Sequence, residues 1–323
     1  MTSVIALVER LPWLEAPRHQ LRTALQRSRA PQALLLQSPE GCGGAEFATW
    51  TAALALCRDA QRAPCGACRD CLWVAEQAHP DLLLVGPLEA KRDISIEQVR
   101  ETIEVLQMTS HRRGRRAAIL SPADALSRSA ANALLKLLEE PPGTALLILC
   151  AVDLARLPAT VRSRCLRLRV RPPRVTAAAE WLASQRGGAP AECLDVLQLY
   201  GNRPLELLRM DFERLRALGA QLRHGLARLG DDPQAAVALG RQWADDDYEV
   251  RLLLLENLVT KRCEELVESS AVPLRGGPLL TTLRRMIEFR DNLRQLRSLA
   301  PMPLNRAFQL QHLLATWSLG AVA

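Results

Sequence analysis

Two groups of residues in this 323-residue sequence have types and spacing suited to chemistry. The first, Ser38-Pro39-Glu40-Gly41-Cys42-Gly43-Gly44-Ala45, follows the apolar run Ala33-Leu34-Leu35-Leu36 and precedes a helix-like stretch, 46–54. Strand, glycine-rich loop and helix in that order are the setting of a Walker A loop, G-x-x-x-x-G-K-[ST]. The residues that carry its chemistry are replaced. Gly44 stands where a lysine reaches the β- and γ-phosphates, Ala45 where a hydroxyl ligates Mg²⁺, and Ser38 where the first glycine belongs. Backbone N–H groups at Gly41 and Gly43 can still form an anion nest. Without cation and metal ligand, however, the main electrostatic contributions to phosphoryl transfer are missing. The expectation is therefore a degenerate loop, Gly41, Gly43, Gly44 and Ala45, that neither binds nor hydrolyses ATP. A glycine-rich strand-to-helix turn that never held nucleotide fits the same residues, because loose glycine motifs match by chance.

The second group is Cys57-x₇-Cys65-x₂-Cys68-x₂-Cys71, four of nine cysteines. In a reducing compartment, clustered thiols read as metal ligands rather than as disulfides. Zn²⁺ takes four thiolates tetrahedrally, and a closed Cys₄ set is structural rather than catalytic. Arg58, Arg62 and Arg69 lie among them and offset the negative charge of such a centre. An iron–sulfur cluster is the rival, but its C-x₂-C-x₂-C run continues to a fourth cysteine followed by proline. Here Leu72-Trp73-Val74 follow instead. Cys42, Cys150, Cys165, Cys193 and Cys263 are scattered and read as buried apolar thiols.

The elements that must position these groups follow from periodicity. Residues 81–85 and 117–120 read as short buried strands and 96–108 as an amphipathic helix. Strands alternating with helices over the first 170 residues imply a parallel sheet covered on both faces. After 117–120, where a P-loop ATPase carries its Walker B acids, the chain reads Ser121-Pro122-Ala123-Asp124. Asp124 comes three residues late and reads as a cap for a helix beginning at Ala125. Leu126 to Glu140 is then a helix with one apolar face, ended by Pro141-Pro142. A buried strand over 145–152 and Leu157-Pro158-Ala159-Thr160-Val161-Arg162-Ser163-Arg164-Cys165 complete the pattern.

Those last residues resemble the clamp-loader branch of the AAA+ family, in which N-A-L-L-K-x-L-E-E-P-P and S-R-C are characteristic. Here they stand as Asn132 to Pro142 and Ser163-Arg164-Cys165. The resemblance covers roughly residues 12–204. A Cys₄ insert after a degenerate Walker A, absent Walker B acids and an intact S-R-C are similar to the non-hydrolysing members that serve bacterial DNA polymerase III. Val152 and Pro204 replace the polar sensor and the sensor arginine of active members, in keeping with a dead site.

The resemblance implies that Arg164 is an arginine finger acting in trans on ATP held by a neighbouring ATPase subunit. Arg162, two residues away, is its rival. The implied fold is an α/β P-loop-type (AAA+) domain over 1–170 with a parallel sheet and zinc insert, a small three-helix lid over 171–210 and an all-α collar over 211–323. Implied partners are the ATPase and delta subunits of the loader, with the sliding clamp and primer-template DNA reached through the complex. The role is a component of a DNA-directed DNA polymerase holoenzyme in replication, with no ATPase of its own. An active AAA+ ATPase subunit and a zinc-containing nucleic-acid-binding module are the alternatives; nucleotide binding and salt-sensitive DNA affinity of the isolated chain distinguish them.

Composition agrees with a folded chain of two or three domains: 48% hydrophobic and 24% charged residues. No run approaches the ~18 apolar residues of a membrane helix. Residues 1–10 lack the basic start of a signal peptide, so a cytoplasmic location, within the nucleoid-associated replisome, is expected. The net charge of +7 is carried mostly by arginine, with lysine at 91, 136 and 261. The run His111-Arg112-Arg113-Gly114-Arg115-Arg116 reads as a solvated loop more readily than as a phosphate-binding stretch, since no aromatic residue interleaves. Lys136 is expected to pair with Glu139 and Glu140 along the helix, and His79-Pro80-Asp81 to turn into a strand. Beyond residue 171, small helices are expected over 175–185, 191–199 and 204–210. Long ones are expected at 212–229, 233–243, 248–269, 278–300 and 303–319.

Overall fold

Apolar runs of four to seven residues separated by amphipathic helices bury both strand faces only in a parallel sheet, and that is what forms. The computed structural model describes residues 3–26, 31–88, 91–112, 114–142, 145–232, 234–269, 278–300 and 304–318. The chain divides into two units, Met1–Arg174 and Val175–Ala323. Of the residues named above, Arg113, Pro233, Pro303 and Leu319 lie outside those described.

The first unit runs α1 (Val4–Glu9), α2 (Glu15–Gln26), β1 (Ala33–Gln37), α3 (Gly44–Leu56), α4 (Arg69–Ala75), β2 (Leu82–Val85), α5 (Ile96–Gln107), β3 (Arg116–Leu120), α6 (Arg128–Glu139), β4 (Ala145–Ala151), α7 (Ala159–Arg162) and β5 (Leu166–Arg169). The strands are all parallel in the order β2-β3-β4-β1-β5. β1 lies between β4 and β5, with Leu35 opposite Leu149 on one side and Arg167 on the other. The loop after β1 therefore sits at the sheet's carboxyl edge, one strand in from its β5 side, where open α/β sheets hold ligands. β3 and β4 are buried along their whole length.

Local chemistry sets the helix ends. Ser95 and Gln98 form a reciprocal capping box at the start of α5. Ser127 accepts the Ala130 N–H at 3.2 Å and starts α6, which stops short of Pro141-Pro142. Asp124 is thus not the cap expected of it. It lies in a 3₁₀ turn, Ala123–Ala125, and accepts the backbone N–H of Asp153 at 3.3 Å, joining the exits of β3 and β4.

The second unit is helical: α8 (Val175–Arg186), α9 (Pro190–Tyr200), α10 (Pro204–Leu207), α11 (Phe212–Asp231), α12 (Ala235–Trp243), α13 (Tyr248–Ser269), α14 (Pro278–Leu299) and α15 (Arg306–Ser318). α8 packs on α9, α13 on α14 and α12 on α15. α9 also packs on α11 and α13, and the Asn257 side-chain amide of α13 donates to the Tyr200 carbonyl at the end of α9. The chain turns there through Gly201 at φ +92°, where any Cβ would meet the Asn257 amide. Among the described residues no helix is long and apolar enough to cross a membrane.

The edge of the first unit holds a buried polar cluster that bears on the basic run at 111–116. Asp81, fully buried, accepts from Ser110 Oγ at 2.9 Å and from the backbone N–H groups of His111 and Arg112 at 2.8 and 3.0 Å. Arg116 Nε lies 3.6 Å from the same carboxylate, and its terminal nitrogens donate to the Val105 and Thr109 carbonyls. The run is therefore not solvated throughout, as expected from sequence. Arg112 and Arg116 are structural: the Arg112 side chain serves Asp70, and Arg116 serves Asp81, which precedes the neighbouring strand β2. His79 also does more than turn the chain: its Nδ1 accepts the Asp81 N–H at 3.0 Å, leaving Nε2 to donate to Asp70 at 3.2 Å.

Burial raises the pKa of the Asp81 carboxyl, but its three hydrogen bonds and Arg116 outweigh that, and the net shift is downward. A carboxylate with a lowered folded pKa contributes its full stability above the unfolded value near 4 and loses it as pH falls toward the folded value. Asp81→Asn leaves Arg116 buried without its counter-charge and is expected to cost about 3–5 kcal/mol at neutral pH. Chemical denaturation should show that loss at pH 7, and a smaller gap between variant and parent below pH ~4.

Candidate functional site

β1 ends in a loop whose shape is fixed by two left-handed glycines, Gly41 at φ +68° and Gly43 at φ +90°. Gly43 also precedes α3, so the loop aims backbone N–H groups at the place a phosphate would take. The loop is tied from outside, where Trp13 Nε1 donates to the Cys42 carbonyl at 2.9 Å. It is filled from inside by Ser38, which is buried and donates from Oγ to the Pro39 carbonyl at 3.1 Å. A Cβ on Gly44 would lie 2.6 Å from Ser38 Cβ and 2.9 Å from its Oγ, too close for any side chain without a shift. The two departures from the Walker pattern are thus one feature: serine at 38 requires glycine at 44.

The four cysteines expected to hold a metal do converge. Cys57 ends α3 and Cys68 caps α4, with Cys65 on the connecting turn and Cys71 in the first turn of α4. All four Sγ atoms lie within 4.8 Å of one another, and the pairs Cys57–Cys68 and Cys65–Cys71 are each 3.9 Å apart. A tetrahedron with ~2.3 Å metal–sulfur bonds has edges of about 3.8 Å, so the donor set fits a divalent ion. Backbone N–H groups of Cys68 and Cys71 donate to Cys65 Sγ at 3.2 Å and Cys68 Sγ at 3.4 Å. Hydrogen bonds from the Ala67 and Cys68 backbone bring the Cys65 thiol down to about 7, whereas burial pushes Cys57 and Cys71 up. Cys57 and Cys71 therefore lose their protons readily only where a bound cation takes the thiolates. Asp70, between Cys68 and Cys71, receives Arg112 at 3.1 Å, Arg58 at 3.3 Å and His79, which anchors this module to the strand edge.

Arg164 follows α7; Val161 of α7 and the flanking Leu157 and Cys165 are buried in the same core as Leu134, Leu137 and Leu138 of α6. Its neighbours fix its backbone while its side chain stays 37% exposed. The guanidinium is held by two acceptors: Nη2 lies 2.7 Å from Glu139 Oε1, and Nη1 donates to the Thr160 carbonyl at 3.1 Å. Glu139 is thereby taken by Arg164 rather than by Lys136, because α7 brings a guanidinium across the end of α6. Arg162 differs. It is half-buried, its Nε is enclosed without a hydrogen-bond partner, and its carbonyl accepts from Arg167. Val152 is exposed just past β4, and Pro204 opens α10, so neither supplies a polar group.

Known proteins show which family the chain resembles. A family model described as DNA polymerase III, delta subunit, matches residues 14–174. The DNA polymerase III subunit delta' of Pseudomonas aeruginosa is 37% identical over 72% of this chain and 70% of its own length. The chain belongs to the DNA polymerase III delta-prime family. Further delta-prime relatives include that of Haemophilus influenzae, 32% identical over 60% of this chain and 59% of its own length. A solved DNA polymerase III gamma subunit-related protein from Thermotoga maritima aligns over 93% of this chain at 18% identity and a TM-score of 0.48, a likeness too remote to carry a conclusion. The family match ends where the first unit ends.

Sequence reasoning missed the Ser38–Gly44 contact, the Glu139–Arg164 pair and the Asp70–His79–Asp81 cluster. The spacing of the motif residues lay in the sequence; which side chains meet did not, whether close in the chain, as Ser38 and Gly44, or far apart, as Glu139 and Arg164. The Gly44 contact is tested by stability: Gly44→Ala should cost about 1–3 kcal/mol, and Ser38→Gly in the same chain should recover most of it in thermal unfolding. The cysteine set is tested by Co²⁺ titration of metal-free chain. Tetrahedral d–d bands and sulfur-to-cobalt charge transfer should saturate at one ion per chain and vanish in Cys65→Ser.

Proposed function

We propose that this chain is a non-hydrolysing subunit of a DNA polymerase III clamp loader, helping to place the sliding clamp on primed DNA and supplying Arg164 to ATP held by a neighbouring ATPase subunit. The observation that carries this reading is the combination of a loop filled by Ser38 and an exposed guanidinium on a buried, rigid turn. An arginine finger needs only position relative to another subunit's γ-phosphate. It acts through planar, permanently charged donors that match phosphate oxygens, and fingers of this kind are worth ~10³–10⁵ in rate. The chain's own loop can decay without touching that role.

The remaining parts fit the same reading. The Cys57, Cys65, Cys68 and Cys71 module holds a structural Zn²⁺, since a closed thiolate set leaves no position for catalysis. Residues 171–210 serve as the lid and 211–323 as the collar that meets the ATPase and delta subunits. Clamp and primer-template DNA are met in the assembly, which works in the cytoplasm at the replisome. No ATP binds this chain.

The test is reconstitution with the ATPase and delta subunits of the same source, sliding clamp and primed DNA. Arg164→Ala should lower turnover at the ATP site it serves by on the order of 10³, with assembly intact by size-exclusion chromatography. An unchanged rate removes the trans role, and loss with Arg162→Ala instead moves it there. The isolated chain should bind no fluorescent ATP analogue; binding and turnover by the chain alone would overturn the reading.

A further inference from the structure

We infer that Glu139 is a positioning residue for Arg164, holding the finger in its working direction; this rests on the trans role proposed above. The Arg164 side chain has the rotamer freedom of any arginine, which would otherwise be lost only when phosphate arrives. Here much of it is already lost. The Glu139 carboxylate, 2.7 Å from Nη2, and the Thr160 carbonyl, 3.1 Å from Nη1, grip the two terminal nitrogens of one guanidinium.

The grip leaves the group usable. A guanidinium has five N–H donors, and these two contacts occupy one on each terminal nitrogen. The Nε–H and the second N–H of each terminal nitrogen stay available to phosphate oxygens, so the finger can bind without first letting go. Both ends of the grip are rigid. Glu139 is the last residue of α6, which is pinned through buried Leu134, Leu137 and Leu138, and Thr160 lies in α7 one residue before buried Val161. The pair is also exposed, at 37% for Arg164 and 53% for Glu139, so solvent screens its attraction. A weak pair of this kind orients a side chain without neutralising it for a phosphate.

The test uses the reconstituted loader and compares Arg164→Ala, Glu139→Ala, Glu139→Gln and the double alanine variant. Glu139→Ala should lower ATP turnover at the served site about fivefold, the rate equivalent of an exposed pair's upper worth, with KM for ATP unchanged. Glu139→Gln retains an acceptor oxygen and should restore most of the rate. Adding Glu139→Ala to Arg164→Ala should change nothing further, because the carboxylate acts only through the guanidinium. If Arg164→Ala slows turnover while Glu139→Ala leaves it unchanged or raises it, positioning is overturned and the finger stands. If Arg164→Ala has no effect, the finger falls and positioning with it. An additive loss in the double variant assigns Glu139 a role independent of Arg164 and also overturns the inference.

Discussion

The insertion of Leu157, Val161 and Cys165 into the core beside α6 is the constraint on which the candidate chemistry depends. Val161 lies in the four-residue helix α7, and Leu157 and Cys165 flank it on either side, so the whole short segment is anchored to the interior at three points. Arg164 lies between two of them in sequence. Its backbone direction is therefore a by-product of apolar burial, which is non-directional and strong, and its side chain needs only weak polar contacts to finish the job. Precision at the surface is inherited from packing beneath it.

The cysteine module is attached by a different physical means. Its cysteines come from the end of α3, the turn after it and the start of α4, which packs on α3 and buries Val74. What ties it to the sheet is charge: Asp70, 2% exposed at the side chain, collects Arg58, Arg112 and His79, and His79 passes the connection to Asp81. A buried carboxylate without such partners would be costly, so the contacts are mutually required. The basic residues before β3 are part of that frame, which is why a run that looks like a nucleic-acid patch is partly folded inward.

Much of this was legible in the sequence, and for identifiable reasons. Buried strands such as β3 and β4 are continuous apolar runs, and α5 and α6 carry a regular apolar face with Ser95 and Ser127 at their starts. The cysteine spacing specified its own convergence. What escaped was either short or alternating. β5, Leu166–Arg169, has only Leu168 buried and reads as polar, and α4 hides between the cysteines and the strand. Asp124 was misread because a 3₁₀ turn and a helix start share the same local residues, and only the backbone of Asp153 decides between them. Pairs such as Glu139 with Arg164 depend on how two elements meet, which no local pattern records.

The filling of the loop by Ser38 bears on how such a protein changes over generations. Adding a side chain at position 44 first meets a collision, and removing the one at position 38 first opens a void. Neither single step is favoured, and a hydroxyl at 45 is still lacking after both. Positions 38 and 44 are thus locked to each other by packing, and the loop keeps its present shape unless both change together.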